Sequence, residues 1–175
     1  MSKSKNQTPL KTKLLSIIIP LTIGFLLSWV IKSYILMPME IKNDFMEPTL
    51  KKGSTAYILR MFRTKNLSIG DVVLVRSNLK DQYVLARIVG KPGDQILVQK
   101  RIVYRNGEPL DEQNFPTNKN IFFAVMPPGK SDMDEMPKTT IPEKSFFLLA
   151  DNTEIGLDSR ILGPIKESMI VGKLW

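Results

Sequence analysis

The sequence predicts a mostly β, antiparallel, barrel-like domain that follows one N-terminal transmembrane helix. Three observations carry this prediction. An uncharged apolar run lies near the N-terminus, short β-type runs alternate with turn residues over the rest of the chain, and no helical segment separates those runs. Parallel strands need helical crossovers, so this pattern favours antiparallel pairing in a sheet or barrel.

The apolar run is long enough to cross a membrane. Residues 14–31 include 18 residues without a charge, and such a helix spans about 27 Å, close to a hydrocarbon core of about 30 Å. Trp29 and Tyr34 suit the membrane interface at its end. A buried core helix and a cleaved secretory signal are the alternatives, but the run exceeds the usual signal length and no small-residue cleavage site follows. We predict a signal anchor over residues 14–36.

The distribution of charge predicts the orientation of this anchor. Four lysines and no acidic residue precede the span in the basic tail 1–13, and such a tail stays in the cytoplasm. We therefore predict a single-pass protein of the cytoplasmic membrane with residues 37–175 outside. The net charge of +8 comes mostly from the first 38 residues. A nucleic-acid-binding protein concentrates basic residues on its folded part, so we predict membrane lipid and no nucleic acid as a partner.

Two missing residue types exclude whole classes of chemistry. The chain contains no His and no Cys, so Ser-His and Cys-His couples, imidazole metal sites, zinc knuckles and disulfides are excluded. We predict no metal and no cofactor. Any catalysis has to use Ser or Thr, Lys, Asp or Glu, Tyr, or Arg.

Six β-type runs follow the anchor, bounded by turn residues. Asn106-Gly107 is a hairpin signal. Residues 115–142 hold five prolines and few regular runs, which predicts an irregular excursion on the surface. The predicted strands cover residues 72–75, 83–89, 96–98, 102–104, 145–150 and 169–173.

Four segments of the domain, taken in order, resemble the sequence boxes of the type I signal peptidases (leader peptidases). The resemblance implies a mostly β signal-peptidase fold behind a membrane anchor, with serine endopeptidase chemistry from a Ser/Lys dyad. The family boxes read Ser-Met-x-Pro-Thr-Leu, Gly-Asp-hydrophobic-Val, Lys-Arg-Val-Ile-Gly-x-Pro-Gly-Asp and Gly-Asp-Asn-x-x-x-Ser-x-Asp-Ser-Arg-x-x-Gly. Here they correspond to residues 45–50 (FMEPTL), 70–73 (GDVV), 86–94 (ARIVGKPGD) and 150–163 (ADNTEIGLDSRILG).

Several residues of these boxes have a structural interpretation that is independent of the family. Pro48 restricts the backbone just after the turn that presents position 45. Asp158 and Arg160 are expected to pair across a loop and to make it rigid. We interpret such residues as structural and not catalytic. This group contains Pro48, Gly93, Asp94, Asp151, Asn152, Asp158, Ser159 and Arg160.

The boxes depart from the family pattern at the positions that carry its chemistry. The resemblance places Phe45 at the nucleophile position, and a phenyl ring has no lone pair to attack with. Ala86 stands at the position of the general base, where a methyl group accepts no proton. Gly156 replaces the Ser that assists the lysine. Asn43 stands at an oxyanion-donor position, and its amide can still donate a hydrogen bond.

A relocated dyad has little support in the sequence. Lys42 lies three residues before Phe45, which on an extended strand directs it to the opposite face. Lys91 lies beyond a turn, and no lysine is placed to activate Thr49 or Ser54. We therefore expect no catalytic residue.

Three hypotheses for function remain. The resemblance implies a groove, lined here by Met46, Val84 and Leu85, that receives an extended peptide by strand addition. The first hypothesis is an inactive homologue in the protein-export and signal-peptide-processing system that binds extended peptides, such as preprotein signals, or a partner. The second is an active endopeptidase with a displaced dyad, which Phe45 and Ala86 oppose. The third, a structural or regulatory subunit of an active paralogue, is not separated from the first by the sequence.

Overall fold

The N-terminal helix leads into the first strand without a break. The computed structural model describes residues 10–77, 82–100, 102–110, 135–153 and 155–175. Helix α1 (Leu10–Val30) continues into a π-helical turn at Ile31–Ile35, and β1 starts at the next residue. The predicted span began at residue 14, but the helix also includes Lys11 and Lys13, because lysine has a high helix propensity. Residues 1–9 of the predicted tail lie outside the described residues.

The rest of the described chain is almost entirely β. All the strand pairings in it are antiparallel, so the predicted mostly β, antiparallel fold is confirmed. A short helix, α2 (Ser159–Leu162), follows β9 in the chain. The strands are β1 (Leu36–Glu40), β2 (Thr55–Leu59), β3 (Val72–Arg76), β4 (Tyr83–Gly90), β5 (Gln95–Gln99), β6 (Ile102–Arg105), β7 (Glu108–Pro109), β8 (Met136–Thr140), β9 (Ser145–Leu149), β10 (Ile165–Lys166) and β11 (Ile170–Leu174).

Two sheets contain these strands. The larger has the order β1-β2-β11-β3-β4-β9-β10, and the smaller has the order β7-β6-β5-β8. The hairpin predicted at Asn106-Gly107 joins β6 to β7, with both residues at positive φ.

The segment 115–142 differs from the prediction at its end. Residues 111–134 lie outside the described residues, but Met136–Thr140 forms β8 and pairs with β5. The prediction of an irregular excursion is wrong for this part. Pro137 is compatible with a strand here because β8 lies at the edge of its sheet, where a missing N–H interrupts no ladder. Ile141, just beyond it, is buried and fixes the strand to the core.

Strand β4 separates two groups of buried apolar side chains. Ala86 and Ile88 pack on one side with Leu148 of β9. Leu85 packs on the other side with Met46. This alternation follows from the two-residue period of a strand. Positions 85 and 86 therefore contribute to opposite faces of the same sheet.

Candidate functional site

An open groove lies between the chain that follows β1 and the beginning of β4. Its volume is about 470 Å³, within the usual range for ligand sites. The walls combine apolar side chains with a few polar groups. The lining residues are Met39, Glu40, Ile41, Lys42, Asn43, Met46, Gln82, Tyr83 and Leu85.

The groove contains two of the three residues predicted to line it. Met46 and Leu85 line it, whereas Val84 is buried and does not, because it alternates with Leu85 along β4. Lys42 also lines the groove, whereas Phe45 does not. The chain leaves its extended conformation after β1 and turns at residues 43–49, so the two-residue strand period used to place Lys42 opposite Phe45 does not apply there.

One edge of β4 is open along this groove. The segment Tyr83–Arg87 pairs with β3 on one side, but β9 pairs on the other side only from Arg87 onward among the described strands. Ser77 N donates to Gln82 O, and Gly70 N donates to Ile88 O. These bonds identify positions 82 and 88 as ones whose backbone groups point towards β3. Because such pairs alternate in an antiparallel ladder, the backbone groups of Tyr83 and Leu85 point to the open side.

Position 45 is held by hydrogen bonds from its own backbone. Phe45 N donates to Asn43 Oδ1 at 3.3 Å, and Phe45 O accepts from Asn152 N at 2.9 Å. Asn152 Nδ2 also donates to Asp44 O at 3.2 Å. The carboxamide oxygen of Asn43 is thus used within the turn, and its Nδ2 is the atom that can still donate. The half-buried Phe45 does not line the groove.

Position 86 lies in an apolar environment. Ala86 is 3% exposed and belongs to a cluster of buried apolar side chains. The cluster that surrounds it consists of Leu67, Val73, Val75, Ile88, Phe146, Leu148, Ile165 and Ile170.

The neighbouring Arg87 joins all four sequence motifs. Its Nε donates to Asp151 Oδ1 at 2.7 Å and its Nη2 to Asp151 Oδ2 at 2.5 Å. Nη1 donates to Gly70 O at 2.7 Å, and Nη2 also reaches Thr49 Oγ1 at 3.3 Å. Both partners of the ion pair are almost fully buried. Sequence reasoning missed this contact, although an arginine inside an apolar strand signals a buried charge that needs a partner.

A second buried ion pair stiffens the fourth motif. Arg160 Nη2 lies 2.7 Å from Asp158 Oδ2, and both side chains are inaccessible. Asp158 also accepts from Arg160 N at the start of α2 and from Ala150 N. Ser159 Oγ accepts from Leu148 N. These contacts are structural. Ser54 Oγ, a hydroxyl considered from the sequence, donates to Lys51 O at 2.5 Å.

The third motif ends in a tight turn that anchors the smaller sheet. Gly93 has a φ of 86°, which favours glycine. Asp94 Oδ2 accepts from Lys91 N at 2.9 Å and Asp94 Oδ1 from Asn106 Nδ2 at 2.8 Å. Among the described residues, no group of three or more acidic side chains is placed to hold a metal ion.

Gly156 packs directly against Ala150. A Cβ built on Gly156 would overlap the Cβ of Ala150 and lie 3.0 Å from Asn152 O. The family boxes have Gly and Ser at these two positions, and this chain has Ala and Gly. The methyl group of Ala150 therefore occupies the space that a serine side chain at position 156 would need.

An open strand edge beside an apolar groove is typical of proteins that bind extended peptides. The comparison with known families is more specific: the family described as "Signal peptidase, peptidase S26" matches residues 13–175, and the chain belongs to this family. Within the 25-residue helical segment Lys11–Ile35, an 18-residue window has a mean hydropathy of 2.4. With the family membership, it indicates a membrane-anchored protein.

Two signal peptidase sequences agree with this assignment. Signal peptidase IB of Staphylococcus aureus (strain Mu50 / ATCC 700699) is 32% identical over 171 residues, which cover 94% of this chain and 89% of the relative. Signal peptidase I of Bacillus licheniformis is 26% identical over 172 residues, which cover 97% and 89%. The crystal structure of a signal peptidase I from Enterococcus faecalis V583 matches with 24% identity and a TM-score of 0.47, covering 65% of this chain and all of that one.

Proposed function

We propose that this protein is a non-cleaving member of the signal peptidase family that binds extended apolar peptides, such as signal peptides, outside the cytoplasmic membrane. One combined observation supports the proposal: the groove and the open edge of β4 are present, whereas positions 45 and 86 hold Phe and Ala. Strand addition uses backbone hydrogen bonds and needs neither a serine nor a lysine.

The chemistry available along the groove supports the absence of cleavage. Within the described part of the chain, no Ser or Thr lines the groove, and Lys42 is the one lysine that does. An acyl-enzyme step needs a hydroxyl beside its base. The hydroxyls of Thr49 and Ser54 are hydrogen-bonded elsewhere. A displaced dyad would therefore lack its nucleophile here.

The geometry of the groove supports a particular mode of binding. A peptide that adds to β4 would exchange hydrogen bonds with the backbone of Tyr83 and Leu85. Every second side chain of the peptide would then face the apolar lining formed by Ile41, Met46 and Leu85. Phe45 does not line this space, so the open groove favours peptide binding over a purely structural role.

Peptide binding and peptide integrity can be measured together. We expect a labelled signal peptide to bind the full-length protein in detergent and to remain intact on prolonged incubation. Gln82 is exposed at the groove, so Gln82→Trp fills the groove without disturbing the core and should weaken binding by about 10-fold, equivalent to about 1.4 kcal/mol. Phe45→Ala should leave the affinity nearly unchanged.

Matched peptides test the strand-addition geometry itself. N-methylation at alternate positions in one register removes the hydrogen bonds to β4 and should weaken binding about 2- to 10-fold per bond, whereas methylation in the other register should have little effect. Equal effects in both registers would contradict strand addition. Absence of binding to the wild type would instead favour a structural partner of another membrane protein, and turnover of the peptide would favour a displaced dyad.

The orientation of the anchor leads to a separate prediction. Lys3, Lys5, Lys11 and Lys13 precede the span, so residues 37–175 should lie outside the cytoplasmic membrane. Protease added to intact spheroplasts should digest the domain, while a cytoplasmic marker protein stays intact. Complete protection of the domain until the spheroplasts are lysed would contradict the predicted orientation.

A further inference from the structure

The open edge of β4 stops at one end of the peptide groove. A peptide can pair with this edge from Tyr83 to Ala86, because β9 occupies the same side of β4 from Arg87 onward among the described strands. The chain that leaves β9 is bonded to the turn after β1, where Asn152 N donates to Phe45 O at 2.9 Å. A strand added to the open edge therefore meets β9 and this turn, and it has to end there or leave the sheet.

Two hydrogen-bond donors lie on the groove wall where the chain enters this turn. Lys42 and Asn43 are neighbours in the chain, and both line the groove. Lys42 is exposed and forms no ion pair within the described part of the chain. Because Asn43 Oδ1 accepts from Phe45 N, its Nδ2 is the atom that can donate to a ligand. An ammonium group beside an amide N–H is a suitable donor set for a carboxylate.

The acidic side chains nearby leave this end of the groove positive. Glu40 also lines the groove, but it is the last residue of β1 and lies about 7 Å farther from the turn than Lys42, at about 3.3 Å per residue. Asp44 does not line the groove, and its carboxylate lies 4.0 Å from Lys52 Nζ. The charge of Lys42 attracts a carboxylate and repels the ammonium group of a peptide N-terminus.

We propose that the groove selects peptides that end in a free C-terminal carboxylate at its closed end. This inference rests on the peptide binding proposed above. The carboxylate pairs with Lys42 Nζ and accepts a hydrogen bond from Asn43 Nδ2, while the preceding residues of the peptide add to β4. A peptide chain that continues beyond this point has no carboxylate there and has to leave the sheet.

The ligand has to be supplied by another reaction. Hydrolysis of a peptide bond adds water and releases a free carboxylate on the N-terminal fragment and an amine on the remainder. This chain has Phe45 and Ala86 where the family boxes have Ser and Lys. The class of reaction that supplies the ligand is therefore endopeptidase cleavage by a different protein, and the groove receives the released N-terminal fragment.

Peptides that differ only at the C-terminus test this proposal on the full-length protein in detergent. A labelled signal peptide with a free C-terminal carboxylate should bind about 10-fold more tightly than its C-terminal amide, equivalent to about 1.4 kcal/mol. A form extended by a few residues, which represents the uncleaved precursor, should bind as weakly as the amide. Equal affinities of acid and amide would overturn the proposal and leave peptide binding intact. Absence of binding by all three forms would overturn both.

Three substitutions test whether the donor pair causes the preference. Lys42→Gln should remove most of the preference for the acid, whereas Lys51→Gln removes the same charge from an exposed lysine outside the groove and should preserve it. Asn43→Asp keeps the oxygen that accepts from Phe45 N but replaces the donor with an acceptor, so the amide should become the better ligand. Equal losses in the two lysine variants would indicate general charge attraction and overturn the subsite.

An acidic side chain is the other source of a carboxylate in a peptide. A peptide amide that carries Asp as its last residue should bind no better than the parent amide, because its negative charge is not at the end of the backbone. If this peptide bound as tightly as the free acid, the groove would recognise an acidic residue and not a chain terminus, which would overturn the proposal. Near-UV circular dichroism identical to that of the wild type checks that each protein variant is folded.

Discussion

Replacing Arg87 with methionine is expected to lower the free energy of unfolding of the domain by about 3–5 kcal/mol. The substitution leaves Asp151 buried at 4% exposure without its counter-charge. It also removes the donors to Gly70 O and Thr49 Oγ1, and with them the contact that joins the four motifs. For a domain of this size, the midpoint of thermal unfolding should fall by about 10 °C.

Two further variants distinguish the buried charge from a simple loss of packing. Arg87→Met/Asp151→Leu replaces the whole pair with apolar side chains and should recover much of the stability, because no uncompensated charge remains. Lys52→Met is the matched control: Lys52 Nζ lies 4.0 Å from Asp44 Oδ2 and both side chains are well exposed, so the loss should stay below about 1 kcal/mol.

Thermal unfolding of the full-length protein in detergent, followed by near-UV circular dichroism, measures these differences. If Arg87→Met and Lys52→Met lowered the midpoint equally, the buried pair would not organise the domain. If the double variant were less stable than Arg87→Met alone, the destabilisation would come from lost packing volume and not from charge.

The sequence predicted all of the most strongly buried strands and missed several whose burial is weak. Strands β3, β4 and β9 are buried over nearly their whole length and appear as continuous apolar runs. Strand β1 contains a proline and β10 has two residues, so neither has a recognisable pattern. Each depends on its neighbours in the sheet, and such tertiary pairing is not encoded in local propensity.

In the candidate site, too, the sequence motifs could be predicted and the contacts between distant residues could not. The order of the motifs predicted which segments matter, and position 45 could be assigned to the turn from its neighbours alone. The sequence could not show that the carboxylate of Asp151 meets Arg87, 64 residues away. Nor could it show that Ala150 occupies the space beside Gly156, because a turn in the loop brings these residues together.

If the protein is non-cleaving, as we propose, the contact between Ala150 and Gly156 changes what is needed to introduce catalysis. Phe45→Ser with Ala86→Lys supplies a nucleophile and a base, but the lysine lacks the hydroxyl that orients it. The sequence alone suggests adding Gly156→Ser. In the structure this serine overlaps Ala150, and overpacking a buried site costs about 1–3 kcal/mol. We therefore expect the triple variant to be less stable than the double variant and no more active.

Adding Ala150→Gly should reverse this result. The quadruple variant Phe45→Ser/Ala86→Lys/Gly156→Ser/Ala150→Gly restores the family arrangement of Gly and Ser and gives the new serine room. Its lysine enters an apolar cluster, where burial lowers the pKa of a lysine from about 10.4 towards neutrality and makes it a usable base. Cleavage of a signal peptide should rise about 100-fold or more above the wild-type background, the usual contribution of a general base.

The single variants decide whether the dyad positions are assigned correctly. Phe45→Ser and Ala86→Lys alone should each stay at background, because nucleophile and base act only together. Full activity in Phe45→Ser would mean that another group, such as Lys42 on the groove wall, serves as the base. An inactive but folded quadruple variant would locate the defect in the turn, where Phe45 N donates to Asn43 Oδ1 and is not free to bind an oxyanion. Asn43→Ser, which shortens that acceptor, should then restore activity in the quadruple background.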